Sequence, residues 1–199
     1  MEEIKYINFE KVMKCLLSKD KNEYVVSIIQ KLNWNIDDFN GLFCNIESRK
    51  DVVYFIVLSD WIVEACNCIY KLYEKYAGNF VYSRKEEFEK TNKQFKAIRS
   101  FIVAHPLNTD RHTEFGYDGK KKCIDIKLKL SGVEEAFSNY DRRNADFYLS
   151  YYDNDKSYAY KNEGHDYSEI YRAVYYNVER MLEFEKYLSK IRKKDLEKY

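Results

Sequence analysis

Residues 83–112 read SRKEEFEKTNKQFKAIRSFIVAHPLNTDRH, and the fold class turns on this stretch. Ser83 followed by Glu86 has the form of a capping box, in which each side chain satisfies an orphan backbone N–H at a helix entry. Pro106 has no N–H and disfavours the α conformation in the residue before it. The helix is therefore expected to stop near Ala104, with His105 extended. Between these ends Phe88, Phe95, Ile98 and Ile102 recur at intervals of seven, three and four, the spacing of one buried helix face. Arg99 lies beside that face, six positions ahead of His105.

The chain before this helix repeats the same periodicity. Phe9, Val12, Met13, Leu16 and Leu17 predict a first amphipathic helix, and Val25, Ile28, Ile29 and Leu32 a second. Asn35 is placed to cap a third, whose buried face is Ile36, Phe39, Leu42, Phe43 and Ile46 despite Gly41. Residues 51–77 predict a central helix, apolar nearly all round its first half and closed by Gly78. Asp60, Glu64 and Lys71 inside this most apolar stretch favour a core helix over a membrane span. Helices so close in sequence pack as antiparallel neighbours.

Beyond Pro106 the pattern changes. Residues 107–122 are polar, with Gly116, Asp118 and Gly119 as turn residues, and read as a loop. Residues 123–130 alternate, with Ile124, Ile126, Leu128 and Leu130 on one side, which is a strand period. Residues 147–152 and 157–160 are aromatic runs joined by Asp153-Asn154-Asp155-Lys156, a hairpin sequence. Ser168 opens a last helix with Ile170, Val174, Val178, Met181, Leu182, Leu188 and Ile191 on its buried face, and a charged tail from Arg192 frays. The expected fold is mainly α: a helical bundle of five to six helices with a small antiparallel β insertion before the last helix. It forms one domain over residues 1–199, with the β-rich part at about 123–162.

Composition agrees with a helical globular protein: 45% hydrophobic and 34% charged residues, with six glycines and one proline. Twenty tyrosines and twelve phenylalanines imply a core filled largely by aromatic rings. The net charge of +1 excludes a polycation or an acidic protein. Locally, residues 92–132 hold nine Lys/Arg against four Asp/Glu. Such a cluster attracts phosphate, although it is more often a solvated face. The five cysteines, Cys15, Cys44, Cys66, Cys68 and Cys123, read as buried reduced thiols in a cytoplasmic protein. Cys66-Asn67-Cys68 lacks zinc-site spacing, and no metal or cofactor is expected. Glu2, Glu3 and Lys5 precede any long apolar run, so neither a leader nor a membrane partner is expected.

No glycine-rich phosphate loop, paired-histidine metal helix or nucleophile elbow occurs. Chemistry therefore centres on Arg99 and His105. The run Arg99-Ser100-Phe101-Ile102-Val103-Ala104-His105, at the end of a long helix in an all-helical domain, resembles the motif of the HEPN superfamily of helical nucleotide-binding and ribonuclease domains. The five intervening residues are within that family's four to six. Ser100 departs from the commoner Asn, Asp or His, and the tyrosine some toxin members carry after the histidine is absent, since Pro106, Leu107 and Asn108 follow. The resemblance implies a homodimer with facing motifs and metal-independent RNA cleavage, with Arg99 and His105 catalytic. It also implies a role in toxin–antitoxin systems or anti-phage defence, with an antitoxin or regulatory protein as a partner. Ser100 and Asn108 would support the site, and Arg111, His112, Lys120, Lys121 and Lys122 would bind substrate.

On a straight helix six residues advance about 9 Å and turn about 240°, so Arg99 and His105 would not share a face. A break before Pro106, or a twofold-related second helix, would bring an arginine and a histidine together. Other readings stand beside the catalytic one. A histidine in the last helical turn also serves as a carbonyl cap. An arginine beside an apolar stripe also packs its stem and pairs with a carboxylate. Lys120 to Lys122 also read as a solvated turn, His112 as a surface residue and His165, between Gly164 and Asp166, as turn chemistry. The alternative function is a catalytically silent HEPN-like module that binds a nucleotide or a partner protein.

Overall fold

The computed structural model of the protein describes residues 2–9, 19–104, 107–110, 113, 120–133, 144–153 and 160–191. Among these, the α-helices are α1 (Lys19–Phe43), α2 (Arg49–Leu72), α3 (Lys85–Arg99) and α4 (Tyr167–Leu188). A short 3-10 turn spans Glu74–Tyr76, and α3 continues as a π turn, Ser100–Ala104. The strands are β1 (Asn108–Thr109), β2 (Lys121–Lys127), β3 (Phe147–Asp153) and β4 (Tyr160–His165). They form one antiparallel sheet in the order β1-β2-β3-β4. The protein is thus mainly helical with a small antiparallel sheet before the last helix; the described residues hold four α-helices, where five to six were expected of the whole chain.

Two expected helices are one. Val25, Ile29, Leu32, Ile36 and Phe39 are all buried on α1 at steps of four and three, so the stripe runs through Asn35 without interruption. Asn35 is itself buried at 7% exposure and lies inside the helix, not at a cap. The expected first helix, apart from Phe9, lies outside the described residues, as does the charged tail.

By their contacts the described residues fall into two compact units. One comprises residues 1–41, 58–88 and 173–199. Its core is strongly aromatic: Phe9 meets Tyr73 at 5.5 Å, and Phe184 meets Tyr70 at 4.8 Å and Phe80 at 4.9 Å. An extended segment, residues 2–9, is strapped along α1. The Asn33 side-chain amide donates to the Ile7 carbonyl and accepts from the Ile7 N–H, at 2.9 and 3.0 Å. Asn40 does the same for Ile4, both at 3.0 Å. Three residues of extended chain span about 10 Å, and seven residues of helix span about 10.5 Å. The two amides therefore meet the two backbone positions in step, and Ile4, Ile7 and Phe9 are buried.

The expected capping box at Ser83 is replaced by a longer-range contact. Glu183 accepts both the Ser83 hydroxyl at 2.6 Å and the Ser83 N–H at 3.2 Å. Gly78 has a φ of 44°, as a closing glycine should, but it follows the 3-10 turn because α2 ends earlier, at Leu72.

The second unit comprises residues 42–57 and 89–172. Its α2 segment opens with a capping box at Ser48. The Asp51 carboxylate accepts from the Ser48 N–H at 2.8 Å and the Glu47 N–H at 3.1 Å, while the Asp51 N–H donates to the Ser48 hydroxyl at 3.3 Å. The Ser48 hydroxyl also donates to that carboxylate, at 2.8 Å, and this bond, then that from the Glu47 N–H, lowers the Asp51 carboxyl below its ordinary value. A depressed carboxylate stabilises the fold above its unfolded pKa, and that contribution is lost as pH falls through the folded value. Ser48→Ala should cost about 1 kcal/mol in urea denaturation at neutral pH. The penalty should shrink once acid has protonated Asp51, and an equal loss at all pH values would count against the box.

Aromatic rings hold this unit together as well. Phe43 lies 5.7 Å from Phe55 and 5.5 Å from Tyr171, and Tyr167 lies 5.9 Å from Phe55 and 5.6 Å from Phe147. In the sheet, β2 pairs Lys121 with Asp153 and Lys122 with Tyr152, but Asp125 with Ser150. One extra residue is thus accommodated, and Cys123 adopts φ 51° there. The bulge resets the strand's phase, which places Lys121 on the Ile126 side and Lys122 on the Asp125 side. The stretch expected to be loop therefore includes β1 and the start of β2. The last strand is Tyr160–His165, shifted from the expected 157–160.

One helix among the described residues, α2, is long and apolar enough to cross a membrane, and half of that apolar window is buried inside the protein. Val52, Phe55, Ile56, Leu58, Ile62 and Ile69 are fully buried, as in a core helix, whereas Tyr54 and Trp61 are exposed. The cysteine expectation needs correction: Cys66 is buried, but Cys44, Cys68 and Cys123 are exposed, and Cys15 is outside the described residues. Burial pushes the Cys66 thiol up to about 12. Iodoacetamide at pH 8 should therefore alkylate Cys44, Cys68 and Cys123 and spare Cys66 until the protein is denatured. Peptide mass spectrometry distinguishes them, and early modification of Cys66 would contradict its burial.

Candidate functional site

Helix α3 delivers Arg99 as its last residue. Phe95, Ala97 and Ile98 are buried on the preceding turn, and Arg99 is half-buried beside them. The chain then widens into the π turn Ser100–Ala104, in which Ser100, Phe101 and Ile102 are buried. Phe101 is held by near-parallel stacking on Tyr151 of β3, at 6.5 Å and 20°. The Ser100 hydroxyl, at 5% exposure, has no hydrogen-bond partner among the described residues. His105, Arg111 and His112 lie outside the described residues.

The remaining expected site residues fall in β1 and at the start of β2. Asn108 of β1 is opposite Lys122 of β2, and Thr109 is opposite Lys121. Lys120 is exposed and sits 3.9 Å from the Asp110 carboxylate. Lys121 does not present its charge to solvent as a substrate-binding residue would. It is 5% exposed, with its ammonium 3.7 Å from the Asp153 carboxylate and 4.7 Å from the centre of the Tyr151 ring. The bulge after Lys122 is the physical reason, since it turns Lys121 onto the buried face. Lys161 contacts the same Asp153 carboxylate from β4, so one buried anion is shared by two cations. Lys122 is half-buried.

His165 is not turn chemistry. It ends β4 at 3% exposure and stacks on Phe147 at 5.6 Å. Its Nδ1 lies 2.9 Å from Glu169 Oε2, and its Nε2 lies 3.6 Å from Glu163 Oε1. Gln94 of α3 donates to the same Glu169 oxygen at 3.0 Å, and the Tyr151 hydroxyl donates to Glu163 at 3.1 Å. A histidine between two carboxylates has the composition of a proton relay, but this one is enclosed. Its evident work is to tie β4, α3 and α4 together. The available sequence signal was Glu169, four residues after His165 and one turn into a helix. Among the described residues no group of three His, Cys, Asp or Glu side chains is arranged to hold a metal ion.

No protein-family model, curated protein or solved structure matches the chain.

Proposed function

We propose that the protein is a metal-independent endoribonuclease of the HEPN type, acting as a homodimer with Arg99 and His105 at its centre. What supports the reading is the position of the motif: α3 ends at Arg99, and the next five residues form a π turn. Such turns are rare and occur frequently at functional sites. Neutral His105 takes the proton of a ribose 2′-hydroxyl, whose oxygen bonds to the adjacent phosphorus. The bond to the 5′-oxygen breaks, and the partner subunit's His105, protonated, supplies that oxygen's proton. Arg99 holds the phosphate through paired N–H donors and stabilises its added charge in the transition state.

The test is incubation of purified protein with a mixed RNA substrate in excess EDTA. Cleavage leaving 2′,3′-cyclic phosphate ends is the expected result. RNA or nucleotide binding without turnover would assign the motif to a catalytically silent module.

A further inference from the structure

The pairing register sets one residue from each strand in a single row. Asn108 is opposite Lys122, Lys122 opposite Tyr152, and Tyr152 opposite Tyr160. Direct cross-strand partners share a face of the sheet. Tyr152 is 43% exposed and is the one residue of β3 outside the core. Its ring centre lies 5.2 Å from that of Tyr160, the two planes inclined at 58°. Lys127 joins them, with its ammonium 2.9 Å from the Tyr160 hydroxyl and 5.4 Å from the ring centre. The row itself carries no carboxylate. Of the acids in the strands, Asp125, on the Lys122 side, pairs with Arg49 at 2.8 Å, Asp153 is buried with Lys121 and Lys161, and Glu163 accepts the Tyr151 hydroxyl.

We propose that this end of the sheet is a platform for single-stranded RNA, on which an unpaired base stacks against Tyr152 while Lys122 and Lys127 attract the phosphates. The choice of RNA rests on the ribonuclease reading above. The chemistry of the row fits it independently: proteins hold single strands by combining aromatic faces with cations along the backbone, and paired bases are closed to such stacking. Position matters too. Asn108 follows His105 by three residues, and three residues of chain span at most about 11 Å. The row therefore begins within that reach of the motif, so platform and motif serve the same stretch of one strand. The enzyme accordingly prefers loops and unpaired tails over duplex.

The test uses full-length His105→Ala protein, which keeps the platform and does not consume its ligand, with a short fluorescent oligoadenylate followed by anisotropy. Adding Tyr152→Ala should weaken binding about 5- to 150-fold, the range for one stacked base. Adding Tyr152→Phe instead should leave it within about twofold, since the ring is kept. Lys122→Gln should reduce the slope of log affinity against log salt by roughly 0.7. Unchanged melting temperatures confirm that the exposed ring was removed without loss of fold. Equal binding by the Tyr152→Ala protein would overturn the proposal, as would tighter binding to a perfect duplex. Loss of self-association with RNA affinity unchanged would also overturn it, by making the row a protein interface. Binding through Tyr152 in a wild type that cuts no RNA would keep the platform and remove the nuclease. Cleavage with no dependence on Tyr152 would do the reverse.

Discussion

Purified Arg99→Ala and His105→Ala proteins should each lose RNA cleavage by at least about a hundredfold while unfolding at the wild-type temperature. A positioned acid or base contributes about 10²- to 10⁴-fold. Removing one transition-state charge donor costs about 10²- to 10³-fold. The two losses should differ in character. Arg99→Lys keeps the charge but not the planar pair of donors, so it should recover only part of the rate. No such conservative replacement exists for an imidazole that both takes and gives a proton. Wild-type cleavage should also follow a bell-shaped pH profile, because one histidine must be neutral and the other protonated. Stability measurements make the result interpretable. Arg99 is half-buried at the end of α3, and a structural role there would appear as a lowered unfolding midpoint alongside the lost activity. Two folded variants that cleave like the wild type would end the proposal.

Asp153→Ala should destabilise the protein by about 3–5 kcal/mol, measured by urea denaturation. Asp153 is 4% exposed and Lys121 5% exposed, so the substitution takes a carboxylate away from an ammonium group held inside the protein beside the Tyr151 ring. That cost approaches the whole stability of a small domain, typically about 5–15 kcal/mol. Lys161→Ala removes the other cation on Asp153, but the Lys161 side chain is 40% exposed, and its loss should cost no more than about 1 kcal/mol. Replacing both buried partners together, Lys121→Met with Asp153→Leu, should recover most of the loss, since apolar side chains of similar size fill the space without desolvating charge. A loss below about 1 kcal/mol for Asp153→Ala would show that solvent reaches the pair, and Lys121 would then return as a substrate contact.

The helices were legible where one face is apolar and its period unbroken, as in α2, α3 and α4. The same rule, applied to α1, failed at Asn35 because the apolar stripe runs on past it, and the helix tolerates a buried side-chain amide whose nitrogen has no hydrogen-bond partner among the described residues. Strand β3, all aromatic and aliphatic apart from its serine and aspartate, was visible, whereas β4, reading YKNEGH, was not. Its polar residues are satisfied by partners far away in sequence: Asn162 takes the Ser150 hydroxyl, and Glu163 takes that of Tyr151. Lys121 lay in a stretch read as loop, where no alternation assigns faces; its place in β2 is set by pairing with Asp153 of β3, ahead of the bulge at Cys123. Arg99 and Ser100 fall near the expected helix end, but no local pattern announces the π turn that begins at Ser100 or the stacking of its Phe101 on Tyr151.

The strap along α1 has a mechanical consequence. A strand fixed at one point can pivot, and a strand held in a smooth groove can slide; two amides set a fixed distance apart forbid both. Shifting residues 2–9 by one place would leave Asn33 and Asn40 facing backbone groups of the wrong orientation. The segment is thus keyed to its helix like a ruler read at two marks. Between the marks lie two residues, of which Tyr6 adds a third tie by donating its hydroxyl to Asp37 at 2.8 Å, and inserting a single residue between Ile4 and Ile7 would unseat one end.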